Sequence, residues 1–200
     1  MQNSQSTSGG SARERLINAA YDLFAAHGIA QVGIDRILGE SGCAKASLYN
    51  HFKSKTDLAL AFLERREQRW TREWLEARVR KGSDGPEAQL LSVFDVFDAW
   101  FRQDEFEGCS FINVLLESEK DSEIHNSATE HLAKIRSIIV ELAEAARLTM
   151  PVQFAHAWHM LMKGSIIAAE EGNRDAAEDA QRAARLVLEH WPREMSLHNT

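Results

Sequence analysis

The segment between residues 45 and 51 concentrates five side chains that end in hydrogen-bonding groups. They are Lys45, Ser47, Tyr49, Asn50 and His51. An amide such as that of Asn50 can pair with adenine through two hydrogen bonds, and an ammonium group such as that of Lys45 can approach guanine or a phosphate. Phenol and imidazole groups can donate to phosphate oxygens and fix the register without reading bases. The chemistry of this segment therefore favours contact with nucleic acid.

Two further cations lie close to this segment. Lys55 stands at the predicted start of a helix, where an ammonium group and free backbone N–H groups together favour a bound phosphate. Arg36 lies on the preceding predicted helix and is placed to touch the flanking phosphate backbone. With the five residues above, these two complete the predicted DNA-contact set.

Two short helices about a tight turn are predicted to present these side chains. Apolar residues three and four apart define the buried face of each helix. They are Ile34, Ile37 and Leu38 on the first helix, and Leu48 and Phe52 on the second, which runs from residue 44 to about 52. Gly42 lies between them, and glycine tolerates the positive φ that such a turn requires. This arrangement is typical of a helix-turn-helix.

The segment SLYNHFKSKTDL resembles the recognition-helix signature of TetR-type transcriptional regulators, and the preceding Ile-x-x-Ile-Leu-x-x-x-Gly pattern also matches. The resemblance covers about residues 12–60. It implies an all-α fold of about nine helices, with an N-terminal three-helix helix-turn-helix domain and a C-terminal helical domain for ligand binding and dimerisation. It also places the five polar residues of the second helix on the side that faces DNA.

The expected organisation is a disordered tail at residues 1–10, a DNA-binding domain at 11–57 and a ligand-binding and dimerisation domain at 58–200. Residues 1–10 contain no large apolar residue. A capping box at Ser11 to Glu14 begins helix 1, and Gly28 suits its end. Its predicted inward stripe comprises Leu16, Ala20, Leu23, Phe24 and His27.

The charge is unevenly divided along the chain. The whole chain of 200 residues has a net charge of −7. Residues 1–60 hold six Lys or Arg and five Asp or Glu, for +1, and the remainder holds 17 and 25, for −8. Attraction to phosphate must therefore come from a few placed cations rather than from a generally basic surface. Two cysteines in different predicted domains fit a reducing cytoplasm, and no apolar run is long enough to predict a membrane span.

The sequence departs from the family pattern in the reading unit. Gly33 and Ala44 stand where the family commonly has Ser or Thr, so weaker caps are expected for both short helices. Asp35 would repel phosphate unless it pairs with Arg36. Cys43 occupies a position that usually holds Val, and a small buried role is the expectation.

A long helix from Lys55 to about Lys81 is predicted to connect the reading unit to the rest of the chain. A capping box at Ser54 to Asp57 opens it. Trp70 and Trp74 are four residues apart on it, which favours packing against the body. A rod of this kind can connect a sensing body to a DNA-binding head.

A candidate ligand pocket is expected in the C-terminal domain. Its predicted residues are Phe94, Phe97, Trp100, Phe101, Cys109, Asn113, His156 and His159. The aromatic residues either pack as core or line an apolar cavity. Cys109, Asn113 and Glu117 resemble a motif of a TetR-type branch in which some members sense electrophiles or oxidants through the cysteine. A structural cysteine is the alternative.

Metal binding and catalysis are not predicted. His156 and His159 are three residues apart, but no denser cluster of His and Cys accompanies them, so no metal site is assigned. No nucleophile elbow, phosphate loop or paired-carboxylate motif is present, so the chain is not expected to be an enzyme or to need a cofactor.

The function predicted from these observations is a ligand-responsive, homodimeric DNA-binding regulator, specifically a repressor released from a pseudo-palindromic operator by a small apolar or aromatic effector. Resemblance assigns the dimer interface to the last two helices. Small residues between 176 and 184 would let another helix approach closely. A Cys109-based thiol-sensing repressor and a helical interaction module that has lost DNA binding are the alternatives.

Overall fold

The computed structural model describes residues 10–81, 84–104 and 106–194, and regular structure in these ranges is helical. The helices are α1 (Ala12–His27), α2 (Ile34–Ser41), α3 (Lys45–His51), α4 (Lys55–Arg66), a π-helical segment (Glu67–Glu76), α5 (Ala77–Lys81), α6 (Pro86–Phe101), α7 (Ser110–Glu117), α8 (Glu123–Ala145), α9 (Pro151–Glu170) and α10 (Ala176–His190). Since α4, the π-helical segment and α5 form one continuous helix, the described residues contain nine helices. The predicted all-α fold is confirmed. The predicted N-terminal tail falls almost entirely outside the described residues.

The first three helices pack around a small apolar core, and together they are called the head below. Leu16, Ile37 and Leu48, one from each helix, are fully buried. Gly42 adopts the left-handed conformation, with φ 62° and ψ 23°, so the predicted tight turn is confirmed. His27, however, is exposed at the end of α1, and its prediction as an inward residue was wrong. A polar ring at the last turn of a helix can remain in water, where it is not desolvated.

The ends of these helices differ in how their backbone groups are satisfied. The Ser11 and Ser54 side chains accept from Glu14 N at 3.3 Å and from Asp57 N at 3.1 Å, so the serine cap of each predicted capping box is confirmed. The Asp57 carboxylate in turn accepts from Lys53 N at 2.9 Å. Helices α2 and α3 begin at Gly33 and Ala44 without a side-chain cap. The predicted weak caps are therefore confirmed.

The long helix over residues 55–81 is also confirmed, but its middle is wound as a π-helix. A π-helix bonds residues i and i+5, and two side-chain pairs of this segment have that spacing. Arg72 Nε donates to Glu67 Oε1 at 2.8 Å, and Gln68 Nε2 donates to Glu73 Oε1 at 3.0 Å. Trp70 and Trp74 stack at 5.6 Å, and the Trp70 ring lies 4.9 Å from that of Trp100. The predicted packing of the two tryptophans against the body is confirmed.

The remaining helices form the body, whose centre is aromatic. The Trp158 side chain is fully buried, and its ring lies 5.0 Å from Phe154 and 5.6 Å from Phe94. Helices α6, α8, α9 and α10 surround this centre. Pro151 occupies the first turn of α9, as its fixed φ favours. Among the described residues, no helix is both long and apolar enough to cross a membrane.

Two glycines of the head allow a matched test of its central turn. Replacing Gly42 with Ala forces a side chain into the left-handed region and is expected to destabilise the protein by about 1–2 kcal/mol. Gly39 lies within α2 with open space around it. Gly39→Ala is therefore expected to stabilise the protein by about 0.5–1 kcal/mol, because alanine loses less backbone entropy in a helix. Urea denaturation at one fixed protein concentration measures the free energy of unfolding of both variants. If both substitutions changed it equally and in the same direction, the turn assigned at Gly42 would be contradicted.

Candidate functional site

Helix α3 presents most of the predicted DNA-contact set on one solvent-facing side. Lys45, Tyr49, Asn50 and His51 are exposed and Ser47 is half-buried, whereas Leu48 is fully buried. Tyr49 is 49% exposed, which is unusual for an aromatic side chain that could have packed. Within the described part of the chain, these five side chains make no hydrogen bond or ion pair. They are therefore free to bind an external partner.

The two flanking cations are placed differently from one another. Arg36 is exposed, and its Nη2 lies 2.8 Å from Nε2 of His27. Lys55 is half-buried, its Nζ donates to Ala30 O at 3.4 Å, and burial lowers the pKa of its ammonium group. Asp35 is exposed and forms no ion pair among the described residues, so Arg36 pairs with His27 rather than with its acidic neighbour.

A cleft of about 620 Å³, here called the junction cleft, lies where the head meets the body. Its lining comes from the end of α1, the segment before α7, α7 itself and the end of α9. The lining residues are Phe24, Ala25, Ala26, His27, Gly28, Phe106, Glu107, Ser110, Asn113, Val114, Glu117, Ala169 and Glu170. Of the eight predicted pocket residues, Asn113 is the one that this lining includes.

The four predicted pocket aromatics of α6 form a packed cluster. Phe94, Phe97 and Trp100 are buried, and Phe101 is half-buried. The rings of Phe97 and Trp100 lie 5.6 Å apart, and those of Phe97 and Phe101 lie 5.5 Å apart, distances that suit edge-to-face and tilted aromatic contacts. Their arrangement matches the core-packing alternative left open by the sequence.

Cys109 lies immediately before α7, where it is 4% exposed. Burial raises the pKa of its thiol, and hydrogen bonds from the Ile112 and Phe111 backbone and the charge of Arg66 offset this only in part. Since the thiolate is the reactive form, this environment disfavours reaction at the sulfur. Asn113 N donates to Cys109 O at 3.0 Å, and the Asn113 side chain reaches Glu107 O at 3.5 Å. Both contacts are local and structural.

The two predicted pocket histidines of α9 lie in different environments. His156 is exposed, whereas His159 is 3% exposed. Burial, together with the charges of Lys163 and Arg136, lowers the pKa of His159 to about 3. Within the described residues, no group of three His, Cys, Asp or Glu side chains is placed to hold a metal ion.

Sequence reasoning missed most of the junction cleft. Glu107, Glu170 and His27 come from segments far apart in the chain, and helical periodicity relates only near neighbours. Glu117 was considered only as a neighbour of Cys109. Gly28, which lines the cleft with a φ of 77°, is predicted from the sequence only as the end of α1.

Comparisons with known proteins agree on one family. A family model described as bacterial regulatory proteins, tetR family, matches residues 16–62, which span α1 to the middle of α4. An uncharacterized HTH-type transcriptional regulator of Mycobacterium tuberculosis is 36% identical over 82 residues, covering 41% of this chain and 40% of the relative. The match thus spans well under half of that relative's length.

Solved structures resemble nearly the whole chain. A TetR-family transcriptional regulator from Streptomyces coelicolor superposes with a TM-score of 0.80 at 29% identity, covering 89% of this chain and 94% of the other. The reduced form of Escherichia coli NemR superposes with a TM-score of 0.79 at 21% identity, over 88% of this chain and 96% of the other. At that identity, the second likeness concerns the fold alone.

The buried His159 makes a prediction about acid stability. The folded protein leaves this ring neutral down to a pKa of about 3, whereas the unfolded chain takes up the proton near the ordinary value of 6.5. Because the unfolded state binds more protons between these values, the contribution of His159 to stability is present above about pH 6.5 and declines as the pH falls. As the pH falls below 6.5, the free energy of unfolding of His159→Gln should therefore decline less than that of the wild type. The difference should be about 1.4 kcal/mol for each pH unit.

Urea denaturation at pH 8, 6.5, 5.5 and 4.5 checks this expectation. The difference between the two proteins at pH 8 is the internal reference, since the ring is neutral there in both states. Parallel stability curves across the series would contradict a buried, neutral His159.

Proposed function

Since this chain is a TetR-family transcriptional regulator, we propose that it is a homodimeric repressor that binds a pseudo-palindromic operator and is released by a small-molecule effector. The observation that carries the DNA-binding part is the free polar face of α3. Tyr49 is exposed between Lys45 and Asn50, on a short helix that the buried Leu48 anchors to the core. These exposed polar side chains contribute nothing to core packing.

The residues of this face divide into two roles. Asn50 is the candidate for adenine and Lys45 for guanine, since their groups match those base edges in the major groove. Tyr49, His51 and Ser47 are candidates for phosphate contacts that position the helix. Arg36 and Lys55 extend these contacts on either side. Residues 1–60 have a net charge of only +1, so the affinity for DNA would depend on these few groups.

Dimerisation is supported by apolar residues left in solvent on the last two helices. Val152, Met160 and Ile167 are exposed on one side of α9, and Leu186 is 60% exposed on α10. The α9 residues are eight and seven positions apart, so they share one helical face. Soluble proteins rarely leave such a stripe uncovered, and a two-fold partner would bury it. Two heads could then read two half-sites, which a single short helix cannot discriminate well.

Effector response requires a mechanical connection, and the continuous helix over residues 55–81 supplies one. Phe62 on this helix is buried between the rings of Tyr21 and Phe24 on α1, each 5.6 Å away. The same helix reaches the body at Trp70. An effector that binds the body better when the two heads are wrongly spaced would therefore lower operator affinity.

DNA binding is tested by selecting a site from random oligonucleotides with the wild-type protein. We expect a two-fold symmetric site whose affinity falls steeply with salt. Asn50→Ala should weaken binding by about 1–3 kcal/mol and relax the preference at one base position in each half-site. Lys45→Ala should lower both affinity and the salt dependence of binding.

Lys134→Ala is the matched control for Lys45→Ala, because Lys134 is an exposed lysine of α8, a helix of the body. It should leave affinity and salt dependence unchanged. The interaction-module alternative is supported instead if the selection yields no sequence. It is also supported if Asn50→Ala and Lys45→Ala leave the affinity for the selected site unchanged.

The dimer is tested by placing a charge on the exposed stripe. Met160→Glu should weaken self-association roughly a hundredfold, because the contact would bury an unpaired carboxylate. Leu116→Glu is the matched control, since Leu116 is an apolar residue of α7 that is 75% exposed. Sedimentation equilibrium measures both variants. If Met160→Glu associates like the wild type, the proposed interface is wrong.

A further inference from the structure

The guanidinium group of Arg36 contacts an imidazole ring, although two carboxylates stand near it in the sequence. Asp35 precedes it on α2, and Glu40 follows four residues later, which is the spacing of a helical ion pair. Both carboxylates are exposed, and neither pairs with Arg36 among the described residues. The guanidinium group lies instead against His27 at the end of α1, with Nη2 2.8 Å from Nε2 of the ring.

The donor in this contact determines the state of the ring. A guanidinium group carries donors and no acceptor, so Nε2 of His27 accepts the hydrogen bond. The ring is therefore neutral in this arrangement, and its hydrogen lies on Nδ1. The contact thus directs the guanidinium group of Arg36 without compensating its positive charge.

The position of Arg36 in α2 shows that this charge does not serve the helix. Helix α2 begins at Ile34, so Arg36 lies in its first turn. A cation at this end of a helix opposes the helix dipole. The exposed and uncompensated guanidinium group therefore suits an external anion, and a DNA phosphate is the anion that the proposed function assigns to it.

An oriented arginine binds a phosphate more tightly than a mobile one, because ordering a long side chain on binding costs free energy. The turn of α1 that carries His27 is anchored by the buried Leu23 and Phe24. The ring therefore offers Arg36 an acceptor attached to the core of the head. A carboxylate in its place would also orient Arg36, but its charge would compete with the phosphate.

We propose that His27 is a positioning residue for DNA binding, which orients Arg36 for a phosphate while leaving the positive charge available. This inference rests on the proposed function, in which Arg36 contacts the DNA backbone. It adds a residue of α1 that touches no DNA itself and acts through its hydrogen bond to α2.

The first test examines the pair in the free full-length protein, without DNA, at pH 8. Nitrogen NMR of isotope-labelled histidine distinguishes a ring nitrogen that carries hydrogen from one that accepts a hydrogen bond, and His27→Gln identifies the signals of this ring. We expect Nε2 of His27 to be the nitrogen without hydrogen, and Arg36→Ala to change its signal. The proposal is overturned if Nε2 carries the hydrogen, or if Arg36→Ala leaves both ring signals unchanged.

The second test measures affinity for the selected operator and its dependence on salt. Arg36→Ala should weaken binding and reduce the slope of log affinity against log salt by about 2, since a dimer loses one phosphate contact in each head. His27→Ala should weaken binding by about tenfold, because an arginine of each head must then be ordered on binding, but it should keep the slope. In the Arg36→Ala background, His27→Ala should have no further effect.

Two other replacements of His27 separate orientation from charge. His27→Gln places an amide oxygen near the position of Nε2 and should keep an affinity close to that of the wild type. His27→Glu supplies a charged acceptor, so it should weaken binding and reduce the salt slope, as Arg36→Ala does. Gln31→Ala is the matched control and should bind like the wild type. Gln31 is an exposed residue of the turn between α1 and α2, and its side chain makes no hydrogen bond among the described residues.

The operator measurements overturn the proposal if His27→Ala binds like the wild type, if its effect persists in the Arg36→Ala background, or if His27→Glu binds as well as His27→Gln. If Arg36→Ala keeps the wild-type affinity and salt slope while Asn50→Ala weakens binding, Arg36 contacts no phosphate. The inference about His27 then fails, and DNA binding through α3 stands. A wild-type protein that selects no DNA site contradicts the proposed function and the inference with it, even where the first test finds the pair.

Discussion

The contact between α1 and the long helix fixes where the head sits, and the position of the DNA-contact set depends on it. Phe62 is fully buried between two rings of α1. On the surface of the same contact, Arg65 Nη2 pairs with Glu14 at 2.8 Å, and Arg66 Nη1 donates to the Tyr21 hydroxyl at 3.0 Å. Edge-to-face rings and these directed contacts define how α1 sits against the long helix in this structure. Because the helix continues into the body, that orientation sets the position of α3 relative to any dimer axis.

The π-helical segment makes contacts that its own sequence does not determine. Residues four apart also meet on one face of an α-helix, so the pairing of Trp70 with Trp74 does not itself require the wider winding. In the structure their rings stack, and Trp70 also contacts Trp100 of α6. The hydroxyl of Thr71 and the indole N–H of Trp70 are buried without a partner among the described residues. The contact with α6 involves a distant part of the chain and is not encoded in residues 67–76 alone.

This distinction explains what could be predicted from the sequence. The turn at Gly42, the serine caps at Ser11 and Ser54, and the long helix are local patterns, and the structure confirms each of them. The π-helical winding, the exposure of His27 and the acidic lining of the junction cleft depend on contacts between distant segments. The aromatic run of α6 was ambiguous for the same reason, since the same residues can pack or line a cavity, and only their neighbours decide. The residues assigned to DNA contact and to the predicted pocket stay predictions.

The separation of charge in the chain limits how a cleft at the head–body boundary can influence DNA. Fields from exposed charges are screened over about 8 Å at physiological ionic strength. A change must instead pass through contacts that meet both surfaces, and His27 has this property because it lines the cleft and holds Arg36. The exposed imidazole at the end of α1, which the helical pattern placed inward, thus contacts both the cleft lining and a residue predicted to touch DNA.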